Sequence, residues 1–301
     1  MGYDGPPSPE RSRILGIGEL LWDLFRDGRR LGGAPFNVVA NLRRLGHPAA
    51  FVSAVGDDEL GRAAVAAAHA LDVDATFISV SPDLPTGTVE VIPDPVEGHR
   101  FAIGSPAAYE SIGDGEALVA GIADWRPDAL VYGTLAQRFA GVRELTGYVC
   151  LEVAPGHRLY DLNLRDGTWS PGLVLDLVGL ATIVKGNVDE ARILGELLGC
   201  DPDAATLGRR LAERYGIEAV CVTNGQDGAA LWADGTLAEV DGIRVDVADT
   251  VGAGDAFAAA LLHAMLVGQR PAEALAFANR LGALVASRPG ALPPWRTGEI
   301  G

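Results

Sequence analysis

The first seventy residues alternate between two periodicities, and that alternation restricts the fold more than any other feature of the chain. Residues 14–18 form a short aliphatic run closed by Gly18, which predicts a strand. From 36 to 45 the pattern changes: Phe36, Val39, Ala40 and Leu42 recur at helical spacing, and Gly46 supplies the stop. Residues 51–55 then predict a second strand and 59–71 a second helix. Strand, helix, strand, helix is the start of an α/β fold with a parallel sheet, since parallel neighbours need a crossover and a helix usually provides it.

Between residues 78 and 108 the alternation stops. Segments 88–93 and 100–103 flank a turn-like stretch at 94–99, which fits hairpin strands with polar outer faces better than a crossover helix. With residues 19–31, this insertion is read as a small β-lid on a domain spanning 14–301, behind a leader at 1–13. A turn-rich stretch at 26–35 leads into the first helix. Past the lid the rhythm returns, with strands at 129–132, 159–162, 183–185 and 219–223 and closing helices at 255–267 and 271–286.

The net charge of −16 over 301 residues offers no attraction to nucleic acid or anionic lipid, because binding a phosphate backbone needs a clustered basic surface. Hydrophobic residues make up 48% of the chain, yet no apolar run reaches the roughly 18 residues of a membrane span. Neither a membrane nor a nucleic-acid partner is predicted. Cys150, Cys200 and Cys221 are odd in number and widely spaced, which predicts reduced thiols rather than disulfides or a zinc site. Residues 1–13 lack the apolar core of a signal peptide, so a cytoplasmic enzyme acting on a small molecule is the expectation. If its ligand carries phosphate, glycine-rich loops at helix N-termini must hold it against the global field.

The stretch DTVGAGD at 249–255 has that character. Gly252, Ala253 and Gly254 precede a helical run and leave backbone N–H groups bare, so an anion can approach the positive end of the helix. Asp255, at the start of that helix, is placed to take a proton from a hydroxyl attacking the same anion; a ligand-free glycine turn is the alternative. Thr223, Gly225 and Gly228 form a loop that suits passage beneath a nucleotide, and equally an ordinary hairpin turn. Asn187 and Glu190, one helical turn apart, can organise water around Mg²⁺ or form a helix capping box. Gly32 and Gly33 precede a helix carrying Asn37, whose side chain both donates and accepts, as sugar hydroxyls require. Asp23 is an acceptor for paired hydroxyls or a solvated turn acid. In the strand DLNLR, Asp161, Asn163 and Arg165 share one face, where Arg165 either neutralises a transferring phosphoryl group or joins a screened surface pair.

Taken in order, these segments resemble the PfkB or ribokinase family of carbohydrate kinases, from about residue 14 to 293. DTVGAGD resembles the second family signature, GGAPFN at 32–37 the first glycine pair with its sugar-binding Asn, and NVDE at 187–190 the NxxE element. The resemblance implies a three-layer α/β fold, a mainly parallel sheet between helices, with a β-lid that covers the sugar and joins two subunits in a homodimer. It implies ATP and Mg²⁺ as cofactors and Asp255 as base, with the amides of Gly252, Ala253 and Gly254 as the anion hole and Arg165 opposite. Glu190 with Asn187 would organise Mg²⁺. Sugar contacts fall on Asp23, Gly32, Gly33 and Asn37; nucleotide contacts fall on Lys185, Asn187, Thr223, Gly225 and Gly228, with Asn279 near adenine. Asp249 and residues 286–291 resemble the K⁺ site of some members.

GGAPFN together with DLNLR is most similar to fructokinases, so fructose is the expected sugar. Ribose, 2-keto-3-deoxygluconate and a nucleoside are the alternatives within the kinase class. A silent nucleotide- and sugar-binding regulator would lose Asp255 or Glu190, and both are present. A dehydrogenase fingerprint would need a third glycine where Leu21 stands. Two departures bear on detail: Gly186 stands where an apolar residue is expected, and Arg29 and Arg30 suit a phosphorylated sugar or, preferably, a charged turn.

Overall fold

A computed structural model describes residues 11–300 except 27, 95–97 and 114, so most of the proposed leader and part of the turn at 94–99 lie outside the described residues. Among the described residues, nine strands form the main sheet. Its order is β13 (Thr236–Val240), β12 (Ala229–Ala233), β11 (Ala219–Thr223), β10 (Ile183–Asn187), β9 (His157–Asp161), β8 (Ala129–Tyr132), β1 (Ile14–Ile17), β4 (Ala49–Gly56) and β5 (Ile78–Ser81). Pairing is parallel from β11 to β5, and β12 and β13 add an antiparallel edge.

Helices α1 (Ala34–Arg44), α2 (Glu59–Ala70), α8 (Ala253–Leu266) and α9 (Pro271–Ala286) pack on one face. The other face carries α3 (Glu116–Trp125), α4 (Ala140–Tyr148), α5 (Pro171–Val178), α6 (Val188–Leu198) and α7 (Ala204–Tyr215). Successive side chains of a strand therefore enter different cores: Ile14 joins the first, Leu15 and Ile17 the second, and all three are fully buried. Burial on both faces is why these strands read as unbroken aliphatic runs instead of alternating ones.

A separate four-stranded sheet, β3 (Gly28–Gly32), β2 (Leu21–Phe25), β6 (Gly87–Asp94) and β7 (Gly98–Ile103), forms the lid. Here the structure corrects two expectations. The stretch at 26–35 is not all turn, because residues 28–32 pair antiparallel with 21–25 and place Arg30 opposite Asp23. Residues 78–81 belong not to the lid but to the main sheet, where they extend β4 in parallel; the lid strands begin at Gly87. The junction is pinned by Asp58. Its carboxylate caps α2 through the Gly61 N–H at 2.7 Å and accepts from the Thr86 N–H at 2.8 Å and hydroxyl at 2.7 Å, one residue before β6.

Candidate active site

The loops leaving the carboxyl ends of β1, β8, β9, β10 and β11 meet over the sheet, where open α/β sheets form their clefts, and enclose a cavity of about 310 Å³. The wall brings together Asp23, Gly33, Asn37, Asn163, Arg165, Lys185, Asn187, Glu190, Thr223, Gly252, Gly254 and Asp255. The lid supplies Leu21, Val89 and Ile103.

One end is built from α8. Gly252 caps the helix with φ 79°, a left-handed backbone open to glycine, and a Cβ there would overlap the carbonyl of Ala291. No side chain caps the helix, so its first turn is left for an anion. Of the three amides expected to form the hole, that of Ala253 donates to the Thr250 carbonyl at 3.3 Å, and Ala253 is not on the cavity wall; Gly252 and Gly254 are. Asp255 occupies the third helical position. Its Oδ2 accepts from Asn37 Nδ2 at 2.8 Å, a contact that joins residues 218 positions apart. Burial, then the charge of Asp161, raises the Asp255 pKa to about 6, against the Asn37 hydrogen bond and the cations Lys185 and Arg165.

Beneath it, Lys185 on β10 straddles both carboxylate oxygens of Asp161 on β9 at 3.0 and 3.1 Å, the two residues being direct neighbours in the parallel ladder. Burial works against the ammonium, but Asp161, Glu190 and Asp255 outweigh it and hold Lys185 above the ordinary lysine range. The DLNLR segment is not the continuous strand that its alternation predicts. The strand ends at Asp161 and Asn163 is left-handed at φ 39°; Asp161, Asn163 and Arg165 still reach one cavity because the chain turns over it.

Asn187 and Glu190 form a complete capping box at the start of α6: the Asn187 side chain accepts from the Asp189 and Glu190 N–H groups, both at 2.9 Å. Glu190 is spent twice over, since Oε2 accepts from Asn187 N–H and Oε1 from Leu164 N–H, each at 2.8 Å. Gly186 is explained by this packing. A Cβ at that position would stand 2.7 Å from the Leu162 side chain and 3.2 Å from Glu190. Among the described residues no group of three or more His, Cys, Asp or Glu is arranged to hold a metal directly. Glu190 lines the cavity, and a carboxylate oxygen that accepts one N–H can accept a further donor, so these residues fit a metal held through water rather than directly.

At the other end, Asp23 is 8% exposed, so it is not a solvated turn acid. Burial, then Asp255, raises its pKa to about 6 against Arg165 and Arg30. Gly33 begins α1 at φ 115°, where a Cβ would overlap the Glu19 carbonyl; Gly32 lies against the Asp23 carboxylate and is off the cavity wall. Arg29 turns away, pairing with Glu59 at 3.2 Å over the Trp22 ring.

Several expected residues lie apart from this cavity. Gly225 and Gly228 sit in the β11–β12 hairpin with φ 53° and 109°, and Gly228 lines a different cavity of about 700 Å³; Thr223 is the part of that loop on the main cavity wall. Asn279 is buried and donates to the Asp241 carbonyl at 2.9 Å, tying α9 to the chain after β13. Asp249 accepts from the N–H groups of Val251 and Gly290, both at 3.0 Å, fastening residues 286–290 to the turn before α8. Sequence reasoning missed Glu19, a buried carboxyl at the exit of β1, and Thr134, which bonds Tyr160 and the Leu162 carbonyl on the cavity floor. No local signal marked Glu19, which follows β1 after a single glycine.

Comparison with known proteins fits this geometry. Residues 17–298 match the family described as pfkB family carbohydrate kinase. The chain is 31% identical to the aminoimidazole riboside kinase of Salmonella typhimurium over 283 residues, covering 87% of this chain and 83% of that one. It is 28% identical to a fructokinase of Escherichia coli over 262 residues, with 83% of each covered. The crystal structure of a fructokinase from Vibrio cholerae O395, bound to fructose, ADP and a calcium ion, superposes with a TM-score of 0.79 at 27% identity, covering 96% of this chain and 97% of that one.

Proposed function

The chain belongs to the pfkB family of carbohydrate kinases and is an ATP-dependent sugar kinase, and from that premise we propose that it phosphorylates a hydroxyl of fructose with Asp255 as the base. The observation that carries this reading is the contact between Asn37 and Asp255 at 2.8 Å, which sets a proton acceptor beside a sugar-type donor and acceptor, in the first turn of a helix that no side chain caps. Fructose is favoured by the relatives that bear its name and by GGAPFN with DLNLR in one cavity. A riboside is the second reading, favoured by the Salmonella relative.

ATP, when bound, supplies the phosphoryl group, and Mg²⁺ shields its charge. The residues of this chain do the rest. Asn37 and Asp23 orient the sugar, and Asp255, ionised above about pH 6, takes the proton as the new bond forms. The N–H groups at Gly252 and Gly254, with Lys185 and Arg165, balance the developing negative charge. Glu190 and Asn187 would hold the metal through water, where it would offset phosphate charge, and Thr223 would border the nucleotide. Gly225, Gly228 and Asn279 lie outside the cavity and would contact the nucleotide from there, Asn279 near adenine, and Asp249 with residues 286–291 would hold K⁺. The lid excludes water as it covers the sugar. Leu24 and Ile92, exposed on its outer face, mark where a second copy would pack. No described helix is long and apolar enough to cross a membrane.

ADP release measured against fructose, ribose and an aminoimidazole riboside tests the assignment, with Asp255→Asn expected to lower kcat by on the order of 10³ while circular dichroism stays unchanged. Near-normal turnover in that variant would remove Asp255 from the role of base. Exclusive turnover of the riboside would replace fructose.

A further inference from the structure

Thr134 follows β8 on the cavity floor and has no role in the chemistry above, yet its hydroxyl is fully committed. It is 1% exposed and lies 2.6 Å from the Leu162 carbonyl and 2.7 Å from the Tyr160 hydroxyl. A carbonyl can only accept, so Thr134 spends its one hydrogen on Leu162, and Tyr160 must donate to Thr134. Tyr160 suits that duty. Its ring is stacked on Tyr132 at 5.3 Å, and burial raises its pKa, which keeps the phenol protonated.

The bonded carbonyl stands where the chain leaves the sheet. The last ladder pairs of β9 are Tyr160 with Tyr132 on one side and Asp161 with Lys185 on the other. Beyond them, the Leu162 carbonyl takes its hydrogen bond from a side chain instead of a strand. The next residue, Asn163, is left-handed at φ 39°, a backbone that persists where its surroundings hold it. They hold it from both sides. Leu162 is fixed by Thr134 and by its N–H to the Lys185 carbonyl at 2.9 Å, and Leu164 by its N–H to Glu190 Oε1 at 2.8 Å. Two residues past the turn, Arg165 reaches the cavity wall, its own carbonyl accepting from the Thr168 hydroxyl at 2.7 Å. A cation that must meet a transferring phosphoryl group needs such support, since a displacement of about 1 Å can cost on the order of 10² in rate.

We propose that Thr134, backed by Tyr160, is a positioning residue for phosphoryl transfer: its hydroxyl holds the turn at Asn163 and so sets where Arg165 meets the transferring group. The proposal rests on the sugar-kinase reading, in which Arg165 balances developing charge. The one hydrogen of Thr134 is spent on Leu162, so its effect on turnover passes through the turn and not through a bond donated to the sugar.

The test measures kcat and KM with fructose, or with the riboside should the wild type prefer it. Thr134→Val, which keeps the shape and removes the hydroxyl, should lower kcat about tenfold with the sugar KM within about twofold. Thr134→Ser, which restores the hydroxyl, should return kcat to within about threefold of the wild type. The deciding comparison is the same substitution beside Arg165→Ala. If Thr134 acts through Arg165, Thr134→Val costs less than about twofold there, whereas a general structural defect costs about tenfold in both backgrounds. Val leaves the Leu162 carbonyl and the Tyr160 hydroxyl without this partner, so the cycle is repeated with Tyr160→Phe, expected to cost about threefold alone and nothing beside Arg165→Ala. A loss of equal size in both backgrounds, no loss with Arg165 present, or wild-type turnover in Arg165→Ala overturns the proposal and leaves the kinase reading intact. No turnover of either sugar by the wild type would instead refute the kinase reading and the proposal with it.

Discussion

Replacing Glu19 by Gln should make the ligand-free protein more stable in alkaline solution and leave it unchanged in acid. Burial raises this carboxyl from 4.5 to about 7, so folding favours its protonated form. The stability this supplies is complete below pH 4.5 and disappears as the pH rises through about 7. The full interval between the two values corresponds to about 3 kcal/mol at roughly 1.4 kcal/mol per tenfold change in proton affinity. Gln carries no charge to desolvate. Its amide places N–H donors where the protonated acid has an O–H, so the two side chains should be equivalent at pH 4.5. At pH 8.5 the variant should exceed the wild type by up to about 3 kcal/mol, which for a chain of this size raises Tm by about 5 °C. Scanning calorimetry or dye-monitored melting at the two pH values, without nucleotide or sugar, reads the difference. Equal melting at pH 8.5, or a variant that is less stable there, would show that the carboxylate is already satisfied and that its buried oxygen has a partner.

Lys185→Met should cost about 3 to 5 kcal/mol by chemical denaturation, because it removes the ammonium bonded to both oxygens of buried Asp161, and adding Asp161→Asn should recover much of the loss; a single-variant cost below about 1 kcal/mol would mean the pair is not desolvated. Gly252→Ala should lose about 2 kcal/mol or more and at least tenfold in turnover, since the left-handed backbone alone costs about 1–2 kcal/mol and the new methyl meets the Ala291 carbonyl. Wild-type stability in that variant would show that the turn before α8 can relax.

The parallel core was legible because its strands are buried on both faces and so spell out aliphatic runs between helical patterns. The lid was less so. Its first hairpin carries Arg29 and Arg30 between glycines, and a strand exposed on one side with charged residues looks locally like a turn. Residues 78–81 misled for a similar reason: as an edge strand they expose Val80 at 58% and lack the signature of the core strands. In DLNLR the alternating letters promised a strand face, but Asn163 takes a left-handed backbone that Asn tolerates and ends the ladder two residues earlier. The NVDE segment satisfied both readings at once, since a capping box also lies on the cavity wall. No local pattern separates a buried carboxyl like Glu19 from a solvated one, because its burial comes from Ala34 and the lid folding over it.

The bond between Asn37 and Asp255 also has a temporal meaning. During synthesis the sugar-facing loops leave the ribosome first, and the partner that completes them follows more than two hundred residues later. Until α8 has emerged, Asn37 and the acids around Asp23 have nothing to close against, so a nascent or C-terminally truncated chain can assemble much of its sheet and still hold no competent pocket.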